Sequence, residues 1–298
     1  MKLHPPVTNE FRAETFATLG AEMVTHGESK LLNIRVFKAF FGTYPEVVAD
    51  IWGTADKPKK THPNHLLWTL MFLKLYVSED VICIICQTSK NTLRKWVWLW
   101  IDTIALTSLS VIDWNKRKRN APDDVWCLAS VDGTDFEIEE PYPFNRKWMS
   151  HKFKSAALKY EVAVSIYSGD IVWIYGPHRG AKHDLTIFRS KLKQMLGPLE
   201  MVEADNGYRG EAEFIRIRDD SLSKKESIEK DIVRARHETV NGRFKAFGIL
   251  KQAHRHSRQK HELVFRSVAT IVQLEIDNGH CLFGCEPTTK RQDRYELV

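Results

Sequence analysis

Three carboxylates in this 298-residue chain stand where a hard cation could be held. Asp132 follows a β-rich run in Ser130-Val131-Asp132-Gly133-Thr134, and Asp205 follows another in Glu203-Ala204-Asp205-Asn206-Gly207-Tyr208. Each runs at once into a glycine-containing turn, and strand ends beside tight turns are where exposed functional side chains gather. Glu238 lies on a helical segment, His237-Glu238-Thr239-Val240-Asn241-Gly242-Arg243-Phe244-Lys245. Singly, each has an ordinary explanation. An aspartate before glycine hydrogen-bonds its own turn, and Glu238 follows Arg234 at the i,i+4 spacing, a pair worth about 0.2–0.5 kcal/mol. If the helix packs beside the first strand, however, the three converge without a counter-charge of their own. Mutual repulsion then raises their pKa values unless cations neutralise them. Mg²⁺ or Mn²⁺ suits such a set, because hard divalent ions prefer carboxylate and water oxygens.

Composition sets the frame around that chemistry. Apolar residues make up 43% and charged residues 28%, a globular balance that excludes a fibrous or disordered chain. The length predicts about two domains. Lys and Arg exceed Asp and Glu by 44 to 38, an excess that permits a polyanionic partner. The excess is local: residues 141–196 hold ten Lys or Arg against three Asp or Glu. Within that span Arg146, Lys147, Trp148, His151, Lys152 and Lys154 interleave cations with rings. Lys and Arg hold phosphates while aromatic rings stack on bases, so this mixture is the one a nucleic acid needs. No apolar run reaches the ~18 residues of a membrane span. Five cysteines, an odd count, and no leader-like start suggest a reducing intracellular setting.

The elements that must position these side chains change character along the chain. Six of nine tryptophans lie between residues 52 and 114, in a stretch that reads as helical. A helix is expected over His65–Tyr76, a second over Glu79–Cys86 behind Ser78, and a third from Thr88 or Ser89 through Leu106. The third places Leu93, Val97, Trp100, Ile101 and Ile104 on one stripe and Lys90, Arg94 and Lys95 on the other flank. Short helices joined by Gln87-Thr88-Ser89 suggest a helix-turn-helix, with Arg94 and Lys95 facing DNA. The polar run Asn115–Asp124 reads as a linker, and Lys116–Arg119 within it as either an import signal or a solvated spacer. From Trp126 the expected order is strand (to Val131), a hairpin of Tyr160–Tyr167 with Ile171–Tyr175, a helix from Asp184 to Leu196, a strand Leu199–Ala204, a polar stretch over residues 209–230, and a helix Ile232–Phe244.

Four motifs in order carry a resemblance: Val131-Asp132-Gly133-Thr134; Gly180-Ala181-Lys182-His183-Asp184 ahead of an apolar helix; Ala204-Asp205-Asn206-Gly207-Tyr208; and Glu238-x-x-x-Gly242-x-Phe244-Lys245. Together, over residues 126–248, they resemble the PIF/Harbinger-type transposases and their host-derived relatives, whose DDE nuclease domain is RNase H-like. The resemblance implies an α/β fold, a mixed sheet with flanking helices, preceded by an all-α helix-turn-helix domain. The expected division is a tail (1–28), a helical domain (29–113), a basic linker (114–124), the RNase H-like DDE endonuclease domain (125–285) and a second tail (286–298). It also implies Asp132, Asp205 and Glu238 as catalytic, metal-ligating residues for two Mg²⁺ or Mn²⁺ ions that cut, and in a transposase transfer, DNA strands. Thr239 and Asn241 replace the family's usual Arg and Phe, and Asp135 and Glu203 are nearby alternatives to the triad. Lys182 and His183 would touch the DNA. A separate Myb-like DNA-binding partner, a homo-oligomer and a nuclear location are further implications, and a catalytically silent DNA-binding derivative is the alternative.

Two other sets of residues have simpler expected roles. Asp184 rivals Asp205 on paper, but at the start of a helix it is expected to cap backbone N–H groups. Cys83-x-x-Cys86 and His280-Cys281 with Cys285 invite a zinc reading; Cys83 and Cys86 in an apolar helix, and Cys127 on a strand, are expected to be core cysteines.

Overall fold

The computed structural model describes residues 12–26, 32–217 and 224–282, in two compact units that divide at Thr107 and Ser108. The first unit is helical: α1 (Ala13–Thr25), α2 (Ile34–Phe41), α3 (Pro45–Thr54), α4 (Pro63–Leu75), α5 (Glu79–Cys86) and most of α6 (Lys90–Val111). Its helix starts are written locally. The Asn33 side chain accepts from the Val36 N–H, Pro45 and Pro63 occupy first-turn positions, and His62 and His65 form a reciprocal cap at α4. The expected apolar stripe of α6 is buried in full, and Trp100 stacks on Trp52 at 5.5 Å while donating to Thr61 at 2.8 Å. Residues 13–25, expected as tail, instead form α1, because Phe16 is wholly buried and Gly20 lets the rings of Phe37 and Phe41 approach to where a Cβ would stand.

The second unit is built on a five-stranded mixed sheet: β1 (Cys127–Glu137), β2 (Ala157–Ser165), β3 (Ile171–Arg179), β4 (Met201–Glu203) and β5 (Ile215–Arg216), in the order β3-β2-β1-β4-β5. β1, β2 and β3 are antiparallel neighbours, whereas β4 runs parallel to β1 and β5 parallel to β4. The parallel return from β2 and β3 to β4 needs a crossover, which α7 (Asp184–Ser190) supplies. Three helices follow, α8 (Lys224–Lys245), α9 (Gly248–Lys251) and α10 (Arg258–Asp277). One sheet face packs Ala129, Val131, Ala163 and Val202 on Leu185 and Phe188 of α7. The other face carries Phe136 and Tyr160 against Phe265 of α10, with Tyr160 and Phe265 stacked at 3.9 Å.

Two expectations about irregular segments are corrected here. The stretch expected as a basic linker packs into the second unit as a 3₁₀ turn, Trp114–Lys118. Trp114 is buried and donates to the Met195 carbonyl at 3.0 Å. Arg117 is 5% exposed, stacks over Trp114 and forms two hydrogen bonds to Glu200, at 2.5 and 2.8 Å. The polar stretch over 209–230 contains β5 and the first turns of α8, because Ile215 is buried and pairs its backbone with Val202. Cys127 is only half-buried at the start of β1. Among the described residues no helix is long and apolar enough to cross a membrane. Residues 1–11 and 283–298, with Cys285, lie outside the described residues.

Candidate active site

Side-chain alternation decides what β1 offers to each side of the sheet. Val131 belongs to the face packed on α7. Ser130, one residue earlier, points the opposite way and meets His237 of α8, Oγ to Nε2 at 2.7 Å. Asp132 shares the Ser130 side by period two, toward the helix that carries Glu238. On the parallel neighbour, Ser130 pairs with Glu203, so Asp205, just past the end of β4, stands level with Asp132, which lies within β1 and not at the expected strand end because β1 keeps pairing with β2 as far as Glu137. The three expected carboxylates therefore line one cavity of about 710 Å³, together with Asp135, Asp184 and Glu203.

Their electrostatics follow from that crowding. Burial, then the charges of Asp205, Asp184 and Glu238, push the Asp132 carboxyl up to about 6, against a lowering contribution from the Gly133 N–H, which donates to its Oδ1 at 2.8 Å. Asp205 caps the 3₁₀ turn Asn206–Tyr208 through the Gly207 N–H, also at 2.8 Å. Each aspartate thus accepts from a nearby glycine N–H, Asp132 within β1 and Asp205 in a turn, and still faces the cavity. Among the described residues Asp132, Asp205 and Glu238 have no Lys or Arg within ion-pair distance, and no three His, Cys, Asp or Glu side chains stand close enough together to enclose a metal ion as they are placed. They share a cavity rather than a finished coordination shell. The donor set still fits a hard cation: oxygen ligands only, with negative charge that the surrounding protein leaves uncompensated.

The neighbouring acids are differently placed. Asp135 is buried and accepts from Ser150 Oγ at 2.5 Å, which ties it to the loop before β2. Asp184 does not cap α7. The capping position belongs to His183, which makes no side-chain cap bond, and the Asp184 carboxylate instead accepts from Lys159 Nζ at 2.9 Å. Local sequence rules favour a cap at a helix start, and only the fold brings Lys159 across from β2. His237 is a second residue that sequence reasoning missed; burial holds its imidazole neutral, lowered to about 4.

The expected nucleic-acid contacts divide into groups. His151, Lys152, Lys182 and His183 line the carboxylate cavity. Arg146, Lys147 and Lys154 are exposed outside it. Trp148 is half-buried, with the guanidinium groups of Arg179 and Arg258 at 5.0 and 4.6 Å from its ring centre, so cations rather than open solvent occupy its surroundings. In the first unit, Arg94 makes a forked pair with Glu79 (2.6–3.0 Å) across the turn joining α5 and α6, and Lys95 lies over Trp96. Cys86 is buried, whereas Cys83, expected in the core, is only half-buried; burial and then nearby acids raise the Cys83 thiol, and burial raises Cys86 to about 12.

Comparison with known proteins converges on the same segment. Over 272 residues the chain is 26% identical to the probable transposase for insertion sequence element IS702 of Microchaete diplosiphon, an alignment that covers 84% of this chain and 97% of that protein. No solved structure matches it. The model of the DDE superfamily endonuclease family matches residues 131–274. That match opens one residue before Asp132, closes within α10 and takes in Asp205 and Glu238 on the way, so this part of the chain is similar to the DDE superfamily endonucleases.

Proposed function

We propose that the protein is a divalent-metal-dependent DNA endonuclease of transposase type, with an RNase H-like catalytic unit of PIF/Harbinger kind. Asp132, Asp205 and Glu238 are its catalytic and metal-holding carboxylates. The observation that carries this reading is the convergence of three unpaired carboxylates on one cavity whose other walls bear Lys152, Lys182 and His183. Mg²⁺ or Mn²⁺, one ion or two, supplies Lewis-acid activation of the attacking oxygen and stabilisation of the leaving one when bound. The chain's own part is to present oxygen donors from within β1, from just past β4 and from α8, and these residues would hold the cation. Lys152, Lys182 and His183 place a phosphate beside them. Arg146, Lys147 and Lys154 extend the phosphate track, and the helix-turn-helix of α5 and α6 reads DNA through Lys95 and Arg94. Strand transfer, a Myb-like partner, self-association and a nuclear location belong to the same proposal by family resemblance.

The test compares nicking of duplex DNA in Mg²⁺ or Mn²⁺ with DNA binding in Ca²⁺. Asp205→Asn keeps side-chain volume and removes one charge, so cleavage falls at least about 10³-fold on removing a principal ligand, while affinity for DNA holds or rises slightly. Normal cutting by Asp205→Asn removes the assignment of the triad. Absence of cutting by the wild type in either metal, with its own terminal sequences and partner supplied, leaves a DNA-binding protein that is catalytically silent.

A further inference from the structure

Asp184 stands where two glycines leave room for it. A Cβ on Gly133 would lie 2.6 Å from its Oδ1, and a Cβ on Gly207 would lie 3.4 Å from its Oδ2. Gly133 follows Asp132 on β1, and Gly207 lies in the turn that Asp205 caps, just past β4. Each glycine also donates its N–H to the neighbouring aspartate, Gly133 to Asp132 and Gly207 to Asp205. One carboxylate, brought in by a third element, therefore fills the space against both the β1 backbone beside Asp132 and the turn beside Asp205.

Its own orientation is fixed from the opposite side. Lys159 holds Asp184 at 2.9 Å, and Lys159 is 12% exposed and stands 4.0 Å from Asp135. Asp135 is the cross-strand partner of Lys159 in the sheet register and is tied by Ser150. The ammonium thus has two acids to satisfy and little solvent to leave for. A helix cap would spend its oxygens on the N–H groups of α7, and none does so here. A free metal ligand would not have a lysine seated on it.

We infer that Asp184 is a positioning residue: clamped by Lys159, it spaces the β1 backbone at Gly133 from the turn at Gly207 and so sets the separation of Asp132 and Asp205. It is not a member of the ligand set. This rests on the metal-site reading above, yet the spacing itself can be measured without metal.

The experiment uses the full chain and two readouts: hydrogen exchange of the Gly133 and Gly207 amides in metal-free protein, and Mn²⁺ affinity followed by the electron spin resonance of the free ion. Asp184→Ala is expected to speed exchange at both amides and to weaken Mn²⁺ binding, each by about tenfold or more. The neutral exchange Asp184→Asn/Lys159→Gln keeps shape and net charge, and is expected to stay within about threefold of wild type in both. Gly133→Ala is expected to speed exchange at Gly207 in the wild-type background and to add nothing in Asp184→Ala, where the oxygen its Cβ would strike is gone. Loss in the neutral pair equal to that in Asp184→Ala makes Asp184 a ligand and overturns the inference. So does unchanged exchange in Asp184→Ala, or a Gly133→Ala effect that is the same in both backgrounds. If Asp184→Ala does not fold, the neutral pair and the effect of Gly133→Ala at Gly207 still decide. Wild-type protein that binds no Mn²⁺ defeats the metal reading instead, and the exchange arm then judges the spacing alone.

Discussion

Asp132 and Asp205 each lie two residues beyond the Ser130–Glu203 pair of parallel neighbouring strands, so they stand level, Asp132 within β1 and Asp205 just past the end of β4. Parallel strands step along together, and equal offsets from a shared pair keep two side chains level. A shift of one residue in either strand would turn one carboxylate to the opposite face. The third carboxylate depends on a different contact, the bond between Ser130 and His237.

Ser130→Ala tests that contact. It leaves the buried His237 without its strand partner, a loss of about 1–3 kcal/mol by the usual cost of an unsatisfied buried group. Because His237 adjoins Glu238, cleavage is expected to lose about tenfold in kcat with little change in KM for DNA. Denaturant unfolding and steady-state nicking measure the two effects. A variant that loses stability yet cuts at the wild-type rate would separate His237 from the catalytic geometry.

Glu161 offers a prediction with a definite sign. It is 1% exposed, accepts from Trp173 Nε1 at 3.1 Å, and burial raises its carboxyl to about 8. Below about pH 4.5 the folded and unfolded chains both hold this proton. As pH rises from there to about 8, the unfolded chain releases it while the folded chain keeps it, so this group lowers stability progressively across that window and by a constant amount above it. Glu161→Gln removes the effect. Its melting temperature should match wild type near pH 4 and exceed it increasingly toward pH 8, by an amount corresponding to a few kcal/mol at most. A difference that shrinks as pH rises would reverse the assignment.

The pair Arg117–Glu200 predicts asymmetry between one and two substitutions. Burial alone would raise the Glu200 carboxyl, but Arg117 and the Gly197 N–H hold it below its ordinary value. Glu200→Gln strands a buried guanidinium and should cost about 3–5 kcal/mol, whereas Arg117→Met/Glu200→Leu should cost clearly less, because no unpaired charge remains. Urea unfolding at pH 7 compares them. Since the Glu200 pKa is depressed, the pair's contribution is present above about pH 4.5 and is lost as pH falls through the folded value.

Binding to DNA should respond to two separate basic groups. Lys147→Ala/Lys152→Ala/Lys154→Ala is expected to weaken binding on any sequence and to reduce the salt dependence by about two to three units of slope. In the first unit Glu79 already neutralises Arg94, so Lys95→Glu should do most of the harm of Arg94→Glu/Lys95→Glu. Titrations at several salt concentrations measure both; equal losses from Arg94→Ala and Lys95→Ala would contradict the second.

What the sequence discloses here tracks the range of each interaction. Glycine close after aspartate and the apolar stripe of α6 act within a few residues, and both were readable. The level placement of Asp132 and Asp205 was not, because it depends on which strands become parallel neighbours. Asp184 was misread as a cap because the cap rule is local, while its partner Lys159 lies 25 residues back on β2. Arg117 was misread as linker because the partner that makes its burial tolerable, Glu200, lies 83 residues ahead. The two-residue strand Ile215–Arg216 is too short to show any period and exists only by pairing with β4.

The seating of Trp114–Lys118 bears on how the run Lys116–Arg119 can be read by another molecule. Lys116 donates to the Val111 carbonyl at 2.7 Å, Arg117 is beneath the surface, and Arg119 reaches Asp170 at 3.4 Å. A receptor that takes a short basic peptide in extended form must first lift these three side chains off their partners. Any molecule that bound the run as an extended peptide would therefore compete directly with the contacts that fold it into the second unit.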